Sequence, residues 1–102
     1  MAHMSPENQI HIPPSFVALF VAPGKLKPSQ PWAHIAQRYE WCEDMAHMLV
    51  EPAREQMARL GITSSDVAHT CEKGLCQPDS VVSEPEAGWV ARRLDELLTS
   101  GL

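Results

Sequence analysis

The chain has 102 residues, of which 44% are hydrophobic and 21% are charged, and its net charge is −5. This composition is typical of a folded protein with one modest core and differs from that of a disordered chain. The eight lysines and arginines are scattered, with only Arg92 and Arg93 adjacent. A nucleic-acid-binding protein concentrates basic residues on one face to release counterions from phosphates, so no nucleic-acid partner is predicted.

The sequence favours a cytoplasmic location. Its longest uncharged apolar run, residues 12–22, contains two prolines and is too short to span a bilayer, so no membrane contact is predicted. Residues 1–4 resemble a cloning remnant, and no signal peptide is expected because no basic segment with a cleavage-like motif is present. The cysteines, Cys42, Cys71 and Cys76, are odd in number, and without a secretory signal they are expected to be reduced thiols.

The predicted elements are all helices. Residues 1–11 are expected to form a tag remnant and a flexible N-terminal arm, followed by a single helical domain over residues 12–100. The first helix is predicted to begin at Pro13 and Pro14, since proline suits the first helical turn. Its apolar side chains share one face at the i, i+3, i+4 spacing: Phe16, Leu19 and Phe20.

The second predicted helix starts at Pro31 and is long. Its apolar residues keep a three-to-four spacing down one side: Trp32, Ile35, Tyr39, Cys42, Ala46 and Leu49. Pro52 interrupts it, because proline cannot donate a hydrogen bond to the carbonyl of Met48 and its ring crowds that turn. The pattern then resumes as far as Gly61, a natural C-terminal cap, which predicts either one kinked helix or two nearly continuous ones.

Two further helices are predicted. A short one follows Ser64 or Ser65 and ends at Gly74, with Val67 and Cys71 facing inward. The last begins with a capping box in which Ser83 is the cap and Glu86 lies three residues later. One apolar stripe follows it: Ala87, Val90, Ala91, Leu94, Leu97 and Leu98. The predicted fold class is therefore all-α, a small bundle of four to five helices with a long helix kinked or broken near Pro52.

The stretch from residue 38 to 56 is rich in carboxylates and holds a cysteine and a histidine. Successive helical residues turn by about 100°, so Cys42 and His47 point about 140° apart and cannot share a metal on a regular helix. Asp44 and His47 have the i, i+3 spacing of a di-iron bundle, but such a site needs a second pair from another helix. A solvated helix face is predicted here, with Cys42 in the core.

A second cluster comprises His69, Cys71 and Cys76. Structural zinc needs four ligands, usually from two closely spaced pairs, and the fourth here would have to come from a distant histidine such as His11 or His34. The cluster also lacks the C-x-x-C spacing of thiol redox sites. A metal- or thiol-dependent site is therefore the alternative prediction, while the main prediction has no metal and no cofactor.

Catalytic motifs are not evident. The sequence contains neither a G-x-x-x-x-G-K-[ST] phosphate loop nor a G-x-G-x-x-G turn, and it contains no G-x-S-x-G nucleophile elbow. No catalytic residue is predicted, and a non-enzymatic function is favoured.

Aromatic, methionine and arginine residues outside the predicted core stripes are the main candidates for binding. On the last helix Trp89 points away from the apolar stripe, toward the side that carries two arginines, while the long helix carries a second stripe. Tryptophan, arginine and methionine are enriched at the centres of protein interfaces. The predicted partner-binding residues are Trp89, Arg92, Arg93, Trp41, Met45 and Met48. The alternative for Trp41 and the methionines is a wide buried face covered by the first helix or the N-terminal arm, and the alternative for Trp89 is packing against the loop of residues 76–82.

Three blocks, IPPSFVALF (12–20), RYEWCEDMAHML (38–49) and EAGWVARRLDELL (86–98), resemble recurring blocks of a family of small uncharacterised proteobacterial proteins. The family is sometimes labelled "ATPase with chaperone activity", and the resemblance covers about residues 10–98. An ATPase of the usual kind needs a phosphate loop and a magnesium-binding acid, which this sequence lacks. The resemblance therefore implies association with a chaperone or unfoldase. The predicted function is a protein–protein interaction or adaptor module, acting on a protein partner or on a second copy.

Overall fold

The computed structural model describes residues 11–100, and within that range every regular element is a helix. The predicted all-α class and the helical bundle are therefore confirmed. The predicted tag remnant and flexible arm, residues 1–11, lie outside the described residues apart from His11. In the part described, no helix has the length and apolar character that a bilayer crossing requires.

The chain divides into two compact units, Met1–Trp41 and Cys42–Leu102. The single domain expected over residues 12–100 stays a prediction. The elements in chain order are α1 (Pro14–Val17), a 3₁₀ turn (Ala18–Phe20), α2 (Trp32–Met48), α3 (Val50–Leu60), α4 (Ser64–Leu75) and α5 (Glu84–Thr99).

The first unit has an aromatic core. Proline at the first position of α1 sets the helical backbone angle there, and Phe16 is fully buried. The Phe16 ring lies 5.6 Å from both the Phe20 ring and the Tyr39 ring, the latter edge-on. Phe20 in turn meets His34 edge-on at 6.0 Å. Aromatic pairs in this geometry add to the stabilisation that comes from burial alone.

The long helix is bent rather than broken. From Trp32 to Leu60 it runs as α2 and α3 with a bend of 35° at residue 49, three residues before Pro52. The amide of Leu49 still donates to Met45 and Ala46, and that of Ala53 donates to Leu49. Because Pro52 has no N–H for the Met48 carbonyl and its ring presses on that turn, the distortion falls in the turn before the proline. The predicted kink near Pro52 is confirmed.

Glycine ends α3 but does not end α4. Gly61 adopts the left-handed conformation, with φ 67°, and its amide donates to the carbonyl of Met57, as its position after the apolar pattern predicted. Gly74 was predicted to end the next helix, which instead continues to Leu75. The backbone at Gly74 is not left-handed, so the glycine serves there as an ordinary helical residue.

Capping boxes begin both α4 and α5. The Ser83 hydroxyl accepts from the Glu86 amide at 3.2 Å, and a Glu86 carboxylate oxygen accepts from the Ser83 amide at 2.9 Å, which confirms the predicted box. Thr63 and Asp66 form a second box at the start of α4, which the sequence analysis did not identify. Glu86 is 5% exposed, and this bond satisfies one oxygen of its buried carboxylate.

The core of the second unit is formed largely by α5. Consecutive residues from 86 to 91 are all buried, so this part of α5 is enclosed on every side. Helices α4 and α5 make the most extensive contact between elements of this unit. The buried apolar residues of the second unit are Cys42, Ala46, Val50, Ala53, Val67, Ala68, Val82, Ala87, Trp89, Val90, Ala91, Leu94 and Leu97.

Loss of the α5 cap is expected to destabilise the protein measurably. Replacing Ser83 by alanine removes the acceptor of the Glu86 amide, which should lower the free energy of unfolding by about 1 kcal/mol in a urea titration. Ser83→Gly is the matched control, because glycine is tolerated at a cap at a cost of only a few tenths of a kcal/mol. Equal stability of Ser83→Ala and the wild type would contradict this role of the cap.

Candidate functional site

Trp89 is not at the surface. It is 5% exposed, so the exposed position predicted for it is wrong. The helical wheel places Trp89 outside the apolar stripe, but a wheel identifies an outward face only when one side of the helix meets solvent. The part of α5 around Trp89 has no such side, because residues 86 to 91 are all buried. Trp89 is therefore a core residue and is removed from the candidate binding residues.

Arg93 is held in ion pairs within the second unit. Its Nε lies 2.9 Å from Oε1 and its Nη2 lies 2.9 Å from Oε2 of Glu43, which is the two-pronged geometry of a strong arginine–carboxylate pair. Its Nη1 also donates to Glu96 at 3.0 Å. The hydrogen bond from Arg93 lowers the pKa of Glu43, and the same bond raises the pKa of Arg93 above its usual range. The structure thus gives Arg93 an internal role in joining α2 to α5.

His47 contacts Glu43 rather than Asp44. Its Nε2 lies 3.1 Å from Oε2 of Glu43, an i, i+4 contact one turn along α2. His47 and Asp44 are exposed, as predicted for a solvated face. Glu43, in contrast, has a side chain that is only 19% exposed. Asp44 and His47 therefore face solvent, whereas Glu43, on the same polar side of α2, contacts Arg93 of α5.

Arg92 lies on a small groove between α4 and α5. The groove has a volume of about 180 Å³ and is lined by Ser65, Ala68, His69, Glu72, Ala91, Arg92 and Asp95. It brings together Arg92 and His69, which the sequence analysis placed in two different candidate sites. Arg92 and the carboxylates of Glu72 and Asp95 line it together, and Asp95 accepts a hydrogen bond from Ser64 at 2.6 Å. A lining with charges of both signs selects no particular class of ligand.

The cluster of His69, Cys71 and Cys76 lies on and just after α4, with Cys71 half-buried. Burial raises the pKa of the Cys71 thiol, which favours the protonated and less nucleophilic form. Cys76 is exposed at the end of α4, and both thiols are free. Among residues 11–100, no group of three or more histidine, cysteine or acidic side chains is arranged to hold a metal ion.

Two of the predicted residues of the long helix are exposed. Trp41 is 47% exposed and Met48 is 73% exposed, whereas Met45 is half-buried. In the second unit, Met45, Met48 and Pro52 follow one another at i, i+3 and i+7, a spacing that puts them on one side of the bent helix. Pro52 is also exposed.

Exposed carboxylates run beside these apolar residues. Asp44 lies four residues before Met48, and Glu51 and Glu55 lie three and seven residues after it, so all three are on neighbouring turns of the same side. A shallow concavity of about 530 Å³ is lined by Glu51, Pro52, Arg54 and Glu55. We name these apolar and acidic residues of the second unit the Met48 surface: Met45, Met48, Pro52, Asp44, Glu51 and Glu55.

Compared with known protein families, with curated proteins and with solved structures, the chain has no match in any of the three.

Proposed function

We propose that this protein is a non-enzymatic binding module that docks a protein partner through the Met48 surface. The observation that carries the proposal is the 73% exposure of Met48 on a well-formed helix, next to other apolar side chains at helical spacing. A single exposed apolar residue is ordinary on any protein. A contiguous apolar patch flanked by polar groups is typical of an interaction site, and here Met48 and Pro52 are exposed next to the half-buried Met45.

The residue types suit recognition of a helix or an extended segment. Methionine is unbranched and polarizable, so it adapts to partners of different shape and is common on binding surfaces that use an apolar helix face. Pro52 adds a rigid apolar ring one turn further along. The resemblance to the family labelled "ATPase with chaperone activity" makes a chaperone or an unfoldase the first class of partner to test.

Affinity capture with matched variants tests the proposal. Wild-type protein, Met48→Gln and Leu60→Gln are used as baits, and the captured proteins are quantified by mass spectrometry. Leu60 is 58% exposed at the end of α3 and lies outside the Met48 surface, so its variant makes a comparable change elsewhere. A specific partner should be reduced about tenfold or more with Met48→Gln, equivalent to at least about 1.4 kcal/mol, and should be unchanged with Leu60→Gln.

Two outcomes and one additional variant complete the test. Equal capture by the wild type and Met48→Gln would contradict it. A second copy as the occupant would appear in sedimentation velocity as a concentration-dependent dimer that Met48→Gln abolishes. Trp41→Ala is measured as a separate bait, because Trp41 is 47% exposed in the first unit and tryptophan is frequent among residues that dominate binding energy.

A further inference from the structure

We infer that the partner of the Met48 surface is a positively charged amphipathic segment, with apolar residues along one face and lysine or arginine beside them. The inference rests on the proposed function and adds the chemistry of the partner to it.

The first argument is the charge beside the apolar row. Asp44, Glu51 and Glu55 are all exposed. Arg54 is the cation next to them, and its Nη1 lies 3.6 Å from Oε2 of Glu51. The Glu51 side chain is 85% exposed, so this pair is weak and is easily exchanged for a partner's cation. Among these four side chains two negative charges remain unbalanced.

The second argument is the arrangement of the charges. The carboxylates lie on neighbouring turns along one side of Met48 and Pro52, so they follow the apolar row instead of surrounding it. A helix with apolar residues at i, i+3 or i+4, and i+7 and basic residues beside that row would match both features at once. The concavity over Pro52 is lined by two carboxylates, Glu51 and Glu55, and by Arg54. A lysine stem can lie along the proline ring there while its ammonium group meets a carboxylate.

The same charges argue against a second copy or an anionic surface as the occupant. Each copy of the chain has a net charge of −5 and would bring an identical set of carboxylates to the interface. Like charges placed opposite each other reduce affinity and slow encounter, whereas a complementary charge accelerates it. Anionic lipids and nucleic acids are disfavoured for the same reason.

Model peptides provide the test. A fluorescently labelled 18-residue leucine–lysine peptide with helical apolar spacing is titrated with the full chain, and binding is followed by anisotropy at low and moderate salt. Peptides with the same leucines, but with glutamate or glutamine replacing lysine, are the controls. We expect the lysine peptide to bind at least about tenfold more tightly than the glutamate peptide. We also expect salt to weaken the binding of the lysine peptide only, because salt screens the attraction between exposed opposite charges.

Variants of the protein show whether the lysine peptide binds at the Met48 surface. Met48→Gln should lower the affinity for the lysine peptide several-fold. The double variant Asp44→Asn/Glu55→Gln should lower it to a similar extent and should also make binding less dependent on salt. The double variant Asp79→Asn/Glu84→Gln changes the net charge equally at exposed positions of the second unit that are outside the Met48 surface. We expect it to leave the affinity nearly unchanged.

The outcomes separate the inference from the proposed function. If the glutamine or glutamate peptide binds as tightly as the lysine peptide and still depends on Met48, the charge inference is wrong and the docking surface stands. If both double variants weaken binding equally, the attraction is a non-specific effect of net charge and the inference is overturned. If no peptide shows any dependence on Met48, the docking surface itself is contradicted.

Discussion

Replacement of Trp89 by alanine is expected to lower the free energy of unfolding by about 3–5 kcal/mol. Trp89 is 5% exposed within the run of buried residues 86–91 of α5, and removing its indole leaves a cavity that the surrounding helices can only partly close. A loss of this size is a large share of the stability of about 5–15 kcal/mol that is usual for a small protein. Urea denaturation followed by circular dichroism measures it directly.

Trp41→Ala is the matched control, because it makes the same chemical change at a position that is 47% exposed. Its cost should be less than about 1 kcal/mol. Acrylamide quenching provides an independent check, since the indole of Trp89 should be protected in the folded protein while that of Trp41 should be accessible. If Trp89→Ala were as stable as Trp41→Ala, the position of Trp89 in the core would be contradicted.

Replacement of Glu43 by glutamine is expected to cost about 1.5–3 kcal/mol at neutral pH, the range for hydrogen bonds to charged groups. Glutamine keeps the size of the side chain but removes the charge that holds the Arg93 guanidinium in a two-pronged pair. The side chains of Glu43 and Arg93 are 19% and 31% exposed, so solvent screens this pair less than an ordinary surface pair. Thermal and urea denaturation of the two proteins at the same pH measure the difference.

The effect of Glu43 should disappear in acid. Because Arg93 lowers the pKa of Glu43 in the folded state, the folded protein favours the charged carboxylate more strongly than the unfolded chain does. The stabilisation is therefore complete well above the ordinary glutamate pKa of about 4.3 and is lost as the pH falls through the lowered pKa of the folded state. The stability difference between the wild type and Glu43→Gln should shrink steadily from about pH 5 downward.

Glu96→Gln separates this pair from the other partner of Arg93. Glu96 is 68% exposed and pairs with Arg93 at i, i+3, so its loss should cost no more than about 0.5 kcal/mol. A Glu43→Gln effect that is equally small, or that persists unchanged in acid, would show that the pair does not stabilise the contact between α2 and α5.

The local features of the fold were predictable because their causes lie within a few residues of sequence. Ser83 and Glu86 cap α5 through atoms three residues apart, and Gly61 ends α3 because glycine adopts the left-handed conformation readily. Pro52 bends the long helix for an equally local reason, the missing N–H and the ring clash with the preceding turn. The Thr63 and Asp66 box at the start of α4 has an equally local signal, but aspartate replaces the usual glutamate at its third position.

The candidate site was only partly predictable. Helical spacing identified Met45 and Met48 as a row separate from the core stripe, since that depends only on the periodicity of α2. The carboxylates of residues 38–56 were interpreted as an ordinary solvated face, because helical spacing shows which side chains share one side of a helix but not which apolar side chains beside them stay exposed. Because the helix continues through the bend, Asp44 of α2 lies on the same side as Glu51 and Glu55 of α3.

By itself, the sequence determined the cap at the start of α5, the glycine that ends α3 and the bend near Pro52, and that Met48 lies off the core stripe of its helix, since these follow from backbone geometry over a few residues. Only the tertiary structure decided that Trp89 is buried and that Arg93 pairs with Glu43. Burial depends on how many elements enclose a helix, and the ion pair joins residues 50 positions apart that no local periodicity brings together. Of the three side chains of α5 predicted to bind a partner, Trp89 is buried and Arg93 is paired with Glu43, whereas Arg92 is exposed beside the groove between α4 and α5.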